Sequence, residues 1–286
     1  MATILNLVTN VLLLGALYSL IAIGFTLIFG VGGVLNLAHG ALITVGAYTA
    51  YYLTNAGLSI WLGAVGAIVV SALIAAAMYK GMIRYVQESP VTVLILTLVI
   101  SIIVEQFLLA VAGSTTIVLA DFVSGNIAVA GSSVQVNRVF AFFLSVVLLG
   151  ALFLFVNRTK RGKAILATSM SHKGASLVGI KSERIYTYTW LIGGALAGIA
   201  GVFIASFRGG HPLMGRAPLL LAFSIVVLGG LGSIKGSIVG AYLVSFLDQV
   251  TVTFISTRLS GVAGLIVLVL VLLIKPEGLY GREFTE

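Results

Sequence analysis

The stretch GVGGVLNLAHGALITVGAY occupies residues 30–48 and lies within a long apolar region. Residues 1–79 contain no Lys, Arg, Asp or Glu. The stretch nevertheless carries a cluster of glycines, one Asn and one His, which interrupt the run of Leu, Ile, Val and Ala on both sides. The structure that suits such an interruption depends first on whether water or lipid surrounds the apolar residues.

The composition of the whole chain indicates lipid. Charged residues make up 8% of the chain, whereas soluble domains carry about 25%. A soluble domain of 286 residues could not cover its surface with so few polar groups. The net charge of +8 needs no nucleic acid partner, because Lys and Arg collect in the cytoplasmic loops of membrane proteins. The chain has no Cys, which excludes disulfides and thiolate chemistry.

Apolar segments suited to membrane crossing recur along the chain, and a spanning helix needs about 20 such residues. The sequence therefore predicts an all-α polytopic membrane protein with eight or nine transmembrane segments in a single transmembrane domain over residues 1–286. The predicted segments are Leu5–Phe29, Ala38–Thr54, Leu58–Tyr79, Pro90–Ala112, Val139–Val156, Thr187–Ser206, Pro218–Leu228, Ser237–Phe254 and Leu259–Ile274. The second and seventh are short, and we interpret them as half-helices.

The basic residues predict the orientation of the chain. With the loops at residues 80–89 and 157–186 inside, twelve of the sixteen Lys and Arg residues are cytoplasmic. This bias predicts an external N-terminus and a cytoplasmic C-terminus. The segment 113–138 is then external, and its Val, Ser and Gly residues favour a short hairpin or an irregular cap.

Two glycine-rich interruptions suggest a pathway through the membrane. Non-helical backbone at membrane depth is tolerated only where protein covers it or where it lines a water-filled cavity, and transporters place such breaks at the substrate path. The stretch LGGLGSIKGSIVGAY, residues 228–242, echoes the opening stretch, although membrane composition alone also produces such matches. Close helix packing is the alternative, and we favour it for Gly194-x-x-x-Gly198. The candidate pathway residues are Gly32, Gly33, Asn36, His39, Gly229 and Gly230.

No pattern for catalysis or cofactor binding stands out. The sequence GGLGSIKGS does not fit the phosphate-binding loop, because Gly236 follows Lys235 where Ser or Thr is needed. The three His residues are scattered over distant loops, so we expect no metal site. Neither a Ser-His-Asp set nor paired carboxylates can be recognised, which disfavours a membrane-embedded enzyme.

Glu105 and Asp248 are the acidic residues within predicted spans. An intramembrane carboxylate suggests a function by default. Glu105, however, lies only about 10 Å of helix rise from the outer end of its segment. A water-exposed or hydrogen-bonded structural role therefore remains open for both residues.

The predicted cytoplasmic loop at residues 157–186 has a pattern of its own. Small and apolar residues, among them Ala175 and Leu177, alternate with basic ones. The pattern predicts a short helix along the membrane face that docks into a partner. A basic helix bound to anionic lipid headgroups is the alternative.

Four stretches resemble the permease subunits of branched-chain amino acid ABC importers, the LivH/LivM family. VLNLAHGALITVGAYTAYYL resembles the hallmark of the family, and RGKAILATSMSHKGASLVGI resembles its cytoplasmic coupling segment. VVLGGLGSIKGSIVGAYL and LLIKPEGLYGR resemble its Gly-rich stretch and its tail. The chain departs in detail, with Leu37 where the family often has Phe and SMSHKG in place of the usual acidic residues of the coupling segment.

The resemblance implies an importer permease without a cofactor of its own, in a bacterial or archaeal cytoplasmic membrane. Its implied partners are a sister permease or second copy, two cytoplasmic ATPase subunits that bind ATP, and an external solute-binding protein. The implied substrate is a branched-chain or other neutral amino acid. The implied ATPase-coupling residues are Lys173, Gly174, Ser176, Leu177, Gly179 and Ile180.

Two rival functions stay open. Within the family, a urea or short-chain amide importer uses similar permeases. From another class, a stand-alone channel or ion-coupled secondary transporter would more readily show several intramembrane carboxylates. The long cytoplasmic loop would then also lack a purpose.

Overall fold

The computed structural model describes residues 2–129, 132–275 and 277–281, and these are mostly helical. The helices are α1 Ala2–Gly32, α2 His39–Asn55, α3 Ile60–Gly81, α4 Pro90–Ala112, α5 Val136–Arg158, α6 Lys160–Met170, α7 His172–Leu177, α8 Ser182–Arg208, α9 Arg216–Gly229, α10 Ile234–Phe254 and α11 Val262–Ile274. The strands are β1 Asn126–Val129 and β2 Ser132–Gln135. Short 3₁₀ turns lie at Ile83–Tyr85 and Thr257–Leu259.

The helices confirm an all-α polytopic membrane protein. Within the described residues, 6 helices are long and apolar enough to cross a membrane, namely those at Ile4–Gly32, Ile60–Tyr85, Pro90–Ala112, Val136–Arg158, Ser182–Arg208 and Ile234–Phe254. Helices α9 and α11 are apolar but shorter. Each of the nine predicted segments corresponds to one helix, and the two predicted half-helices are α2, with 17 residues, and α9, with 14.

The predicted external segment contains a hairpin, one of the two alternatives. Strands β1 and β2 pair antiparallel, with Asn126 opposite Gln135. The Asn137 side chain fixes the base, because its Oδ1 accepts from the Phe122 N–H at 3.0 Å and its Nδ2 donates to Asp121 Oδ1 at 2.7 Å. Helix α5 begins at Val136, so the segment ends earlier than the predicted boundary at 138.

The chain divides into two compact units. The first comprises residues up to Thr26, Asp121–Val147 and the residues from Leu220 on; the second comprises Leu27–Ala120 and Leu148–Leu219. Helices α1, α5 and α9 contribute residues to both. The single permease domain over 1–286 stays a prediction.

The second unit is built on close contacts of α2, α3 and α8 through glycines. A Cβ on Gly194 would lie 2.6 Å from the Ala75 Cβ, and one on Gly198 would lie 2.5 Å from the Ala67 carbonyl oxygen. A Cβ on Gly201 would collide with the Ile43 carbonyl oxygen. The helix backbones therefore touch directly, which confirms that Gly194-x-x-x-Gly198 is a contact face.

The first unit uses polar side chains to join α10 to its neighbours. The Ser245 hydroxyl donates to the Val11 carbonyl at 3.1 Å. Asp248 is buried; its Oδ1 accepts from the Gly261 N–H at 2.6 Å, and its Oδ2 accepts from the Tyr18 and Ser260 hydroxyls. Asp248 thus has the hydrogen-bonded structural role that the sequence left open, and it ties α1 and the start of α11 to α10.

We expect Gly201→Ala to destabilise the protein by about 1–3 kcal/mol, because the new methyl group overpacks a backbone contact. Gly150→Ala is the matched control, since Gly150 is also helical but has open space around its Cα. The midpoint of thermal unfolding in detergent measures the difference. Equal midpoints for the two variants would show that the contact between α2 and α8 accommodates the methyl group without loss of stability.

Candidate functional site

The first interruption joins α1 to α2. Helix α1 continues to Gly32, beyond the predicted end at Phe29, and Gly33 then adopts a φ of 63°. The Gly33 N–H still donates to the Phe29 carbonyl at 2.7 Å. Glycine is favoured at position 33 because L side chains rarely adopt this conformation. The chain therefore leaves the helix at the Gly32-Gly33 pair, as the sequence predicted.

Asn36 shapes the turn that follows. Its side chain is buried, with 1% of the residue exposed. The Oδ1 atom accepts from the Ala38 N–H at 3.1 Å, and the backbone carbonyl accepts from the His39 N–H at 3.2 Å. The Nδ2 atom is buried without a hydrogen-bond partner among the described residues. A buried amide donor without a partner is costly in a folded protein and marks a place for a ligand or a water molecule.

Helix α4 holds the same turn through a hydroxyl group. Thr97 Oγ1 accepts from the Leu37 N–H at 3.1 Å and donates to the Leu94 carbonyl at 3.1 Å. His39, the first residue of α2, is fully buried. Protein therefore covers both Asn36 and His39, as polar side chains at membrane depth require.

A second irregular segment, residues 209–215 between α8 and α9, meets the start of α2. Gly210 and Ile117 exchange two backbone hydrogen bonds of 2.8 Å. Gly215 packs directly on the Gly40 backbone, one residue after His39. The orientation predicted from the basic residues places Arg208, Arg216 and this segment outside, and sequence reasoning assigned the segment no role. The stretch RGGHPLMG could have indicated an irregular segment, because it contains three glycines and a proline in eight residues.

An ion pair fixes the start of α9 to α4. Arg216 Nη2 donates to Glu105 Oε2 at 2.7 Å, and Nε lies 3.2 Å from both carboxylate oxygens. The Glu105 side chain is 7% exposed and that of Arg216 is 59% exposed. Glu105 thus has a hydrogen-bonded role, one of the two that the sequence left open. Its partner could not be predicted, because Arg216 lies 111 residues away along the chain.

The second interruption joins α9 to α10 in the first unit. Helix α9 ends at Gly229, and Gly230 follows with a φ of 102°. The Ser233 hydroxyl then caps α10 by accepting from the Gly236 N–H at 3.1 Å. The echo between the two stretches thus extends to local geometry, since each helix ends at the first glycine of a Gly-Gly pair. The second glycine of each pair has a positive φ.

The C-terminal segment covers this second interruption. The Leu279 and Tyr280 N–H groups donate at 2.9 Å to the carbonyls of Leu228 and Gly229. A Cβ on Gly230 would lie 2.7 Å from the Tyr280 carbonyl carbon. Gly230 therefore has a packing reason to be glycine, and a pathway role for Gly229 and Gly230 stays a prediction. Pro276 and Arg282 of the tail pattern lie outside the described residues.

The candidate pathway residues therefore fall into two groups. Gly32, Gly33, Asn36 and His39 lie together in the second unit, around one turn. Gly229 and Gly230 lie in the first unit. Each group has its own irregular backbone, its own buried surroundings and its own close helix contacts.

The predicted coupling loop forms two short helices, α6 and α7, rather than one. Ser171 separates them, and its hydroxyl caps α7 by accepting from the Gly174 N–H at 3.0 Å. Gly179, with a φ of 80°, ends the turn after α7. Ala175 is buried, whereas Leu177 and Val178 are 81% and 75% exposed. Candidates Lys173, Gly174, Ser176 and Leu177 lie in α7, and Gly179 and Ile180 follow it.

An aromatic stack that the sequence did not predict connects α7 to the membrane helices. The His172 ring stacks on Tyr186 of α8 at 5.5 Å, and the Tyr186 hydroxyl lies 3.1 Å from the imidazole nitrogens. Tyr79 of α3 contacts both Tyr186 and Trp190. Nearby, Arg84 and Glu183 form an ion pair of 2.9 Å. The two basic loops, 80–89 and 157–186, therefore lie at the same end of the second unit.

Comparison with known proteins identifies the family. The family described as "Branched-chain amino acid transport system / permease component" matches residues 7–274. The chain belongs to this family. It is 30% identical to the high-affinity branched-chain amino acid transport system permease protein LivH of Escherichia coli K12, over 97% of this chain and 95% of LivH. It is 28% identical to BraD of Pseudomonas aeruginosa over 97% and 95% of the two chains.

A solved structure supports the fold of this family member. PsaBC from Streptococcus pneumoniae, in complex with Fab, matches with a TM-score of 0.57 and 15% identity over 96% of this chain and 94% of that chain. Together with its apolar helices, the family membership makes this chain a multi-pass membrane permease subunit of an ABC importer. The resemblance drawn from the four sequence stretches is confirmed.

In this permease, we expect Thr97→Val to lower the free energy of unfolding by about 1–3 kcal/mol, because the part-buried Leu37 N–H loses its acceptor. Thr97→Ser keeps the hydroxyl group and is the matched control. Thermal unfolding in detergent compares the two variants. If the valine variant is as stable as the serine variant, the turn at residues 33–38 does not depend on α4.

Proposed function

We propose that this permease imports branched-chain or other neutral amino acids. The main support for this substrate is the similarity of nearly the whole chain to permeases whose names state branched-chain amino acid transport. The buried Nδ2 donor of Asn36 adds chemical support, because a zwitterionic substrate needs donors for its carboxylate. Import of urea or short-chain amides is the second candidate, since an amide carbonyl also accepts from such a donor.

The proposed mechanism is alternating access, and the proposed pathway residues are Asn36, His39 and the glycines at positions 32, 33, 229 and 230. Interrupted helices expose backbone amide groups without a fixed cationic side chain. In the second unit, the turn after α1 carries the buried Nδ2 donor of Asn36, which supports a role for this turn in contacting substrate. The path opens to each side in turn, driven by subunits other than this one.

The proposed partners are a sister permease or second copy, two cytoplasmic ATPases and an external solute-binding protein. The exposed apolar side chains of Leu177 and Val178 support docking of α7 on an ATPase. Burial of such an apolar pair against another protein removes its surface from water, which is favourable in free energy. Binding to anionic lipid headgroups is the alternative for the basic residues nearby. We propose no metal, nucleic acid or cofactor for this chain; ATP binds to the partner subunits.

The proposed location is the cytoplasmic membrane, with the N-terminus outside and the C-terminus inside. The Arg84–Glu183 ion pair supports this topology, because it places both basic loops at one end of the second unit. The Ile117–Gly210 backbone pairing joins two segments predicted to be external. The orientation follows from assigning the basic end to the cytoplasm.

An ion-coupled secondary transporter is less well supported. Such a carrier needs intramembrane carboxylates that can bind and release a cation. Glu105 is paired with Arg216, and Asp248 accepts from a backbone N–H and two hydroxyls. Both carboxylates therefore have structural partners within their own unit.

We expect reconstituted importer, containing this permease with its proposed partners, to take up radiolabelled L-leucine only when ATP is present. The purified chain alone should hydrolyse no ATP, because it lacks a phosphate-binding loop. Uptake into proteoliposomes and phosphate release measure the two activities. ATP-independent uptake would favour the channel or secondary transporter. ATPase activity of the isolated chain would contradict the proposal that only the partner subunits bind ATP.

We expect Ser176→Cys to crosslink to a cysteine placed in the docking groove of the ATPase, with a yield that changes on ATP binding. Ser176 is exposed in α7, and its thiol would be the only one in a chain without Cys. Thr115→Cys, in the predicted external segment, is the control. An impermeant thiol reagent added to intact cells should label position 115 but not 176.

Labelling of position 176 from outside would overturn the topology. Protection of position 176 without any crosslink to the ATPase would instead favour the lipid-bound helix.

A further inference from the structure

The Arg216 guanidinium has an edge that Glu105 does not use. An arginine has five N–H donors in a planar fork. Glu105 engages the edge formed by Nε and Nη2. Nη1 has no hydrogen bond within residues 2–129, 132–275 and 277–281, and 59% of the side chain is exposed. A second edge, formed by Nη1 and Nη2, thus remains open to a planar anion.

The depth of the ion pair limits what this open edge can face. Glu105 lies seven residues before the end of α4, which is about 10 Å of helix rise inside the span. An arginine facing hydrocarbon at this depth would be costly. The exposed edge of Arg216 therefore needs water or another polar group beside it, which an aqueous path would supply.

The ion pair also belongs to the neighbourhood of the first interruption. Arg216 directly follows Gly215, which packs on Gly40 at the start of α2. Helix α4, which carries Glu105, also carries Thr97, the acceptor for the Leu37 N–H. The same two elements, α4 and the segment before α9, thus support both the Asn36 turn and the arginine.

We propose that Arg216 binds the carboxylate group of the transported molecule through its open edge, with Glu105 as the positioning residue. The inference rests on the proposed function and deepens it, because it names the carboxylate as the group that is recognised. Glu105 on α4 binds one edge of the Arg216 guanidinium through hydrogen bonds and thereby orients the opposite edge. Carboxylate and guanidinium match as two parallel N–H···O bonds.

The buried carboxylate also adjusts the strength of this contact. Glu105 neutralises most of the arginine charge, so the open edge attracts an anion less strongly than an unpaired arginine would. A transported molecule must bind and then leave, and a weak site suits that requirement. A doubly charged anion such as phosphate would be repelled by Glu105, whereas the amino group of a zwitterion would be attracted to it.

The test is uptake of L-leucine by the complete importer in proteoliposomes, with sister permease, ATPases and binding protein present. Arg216→Gln should lower uptake by about tenfold or more, as expected for loss of a charged hydrogen bond. Arg216→Lys should also lower uptake, because it keeps the charge but not the planar fork. Arg208→Gln is the matched control, since it removes an exposed arginine at the end of α8, and its uptake should be unchanged.

A charge exchange separates substrate binding from a purely structural ion pair. Glu105→Arg combined with Arg216→Glu restores an ion pair but places a carboxylate where the substrate carboxylate would bind. The proposal expects normal assembly of this double variant and no leucine uptake. Recovery of uptake in the double variant, unchanged uptake with Arg216→Gln, or failure of both variants to assemble would assign the pair to folding and overturn the proposal.

The unaltered importer distinguishes failure of this inference from failure of the proposed function. L-leucine and urea are offered to it separately. Leucine uptake that Arg216→Gln leaves intact overturns only the role of Arg216. Uptake of urea alone, or of neither compound, overturns the proposed amino acid substrate and the carboxylate contact with it.

Discussion

The breaks that end α1 and α9 in this permease must satisfy their backbone hydrogen bonds wherever they face hydrocarbon or protein rather than water. In hydrocarbon, an unpaired N–H or C=O group costs several kilocalories per mole, so a helix can stop inside a membrane protein only where other protein groups replace the missing bonds. The turn at residues 33–38 meets this requirement with the Asn36 side chain and the Thr97 hydroxyl. The end of α9 meets it with N–H groups of the C-terminal segment. The arrangement of the surrounding helices follows from these replacements.

Glycine makes these substitute hydrogen bonds possible, because the absence of a side chain lets two backbones come into contact. Gly215 packs on Gly40, and Gly229 packs on Gly236. Gly201 packs against the Ile43 carbonyl. At each of these contacts a β-carbon would occupy the space of another backbone. Of the glycines predicted to lie on a path, Gly229 and Gly230 are therefore also packing residues, whereas a Cβ on Gly33 would meet no neighbour. Packing and pathway are not alternatives at these positions, because a buried irregular segment needs close neighbours to exist at all.

Local patterns predicted the helices well and the side-chain partners poorly. Apolar runs predicted nine helices, because hydrocarbon leaves few other structures for them, and within the described residues 6 of these are long and apolar enough to cross a membrane. The Gly32-Gly33 and Gly229-Gly230 pairs marked two helix ends, because a positive φ strongly favours glycine. The Glu105–Arg216 pair and the His172–Tyr186 stack could not be predicted, since they join residues brought together only by helix packing. The segment 209–215 was missed because its turn residues are equally typical of an external loop.

Charge is used sparingly, and the ion pairs of the second unit join segments that lie far apart in the sequence. In the second unit, one ion pair at Arg84 joins the ends of α3 and α8, and another at Arg216 joins α4 to α9. The first lies beside the aromatic stack that contacts α7, and the second lies beside the segment that packs on α2. Helices α3 and α8 are in direct backbone contact along Gly194 and Gly198, and α8 continues the same contact with α2 at Gly201. Packed helices thus connect α7 to α2, which begins directly after the Asn36 turn: the aromatic stack joins α7 to α8, and Gly201 joins α8 to α2.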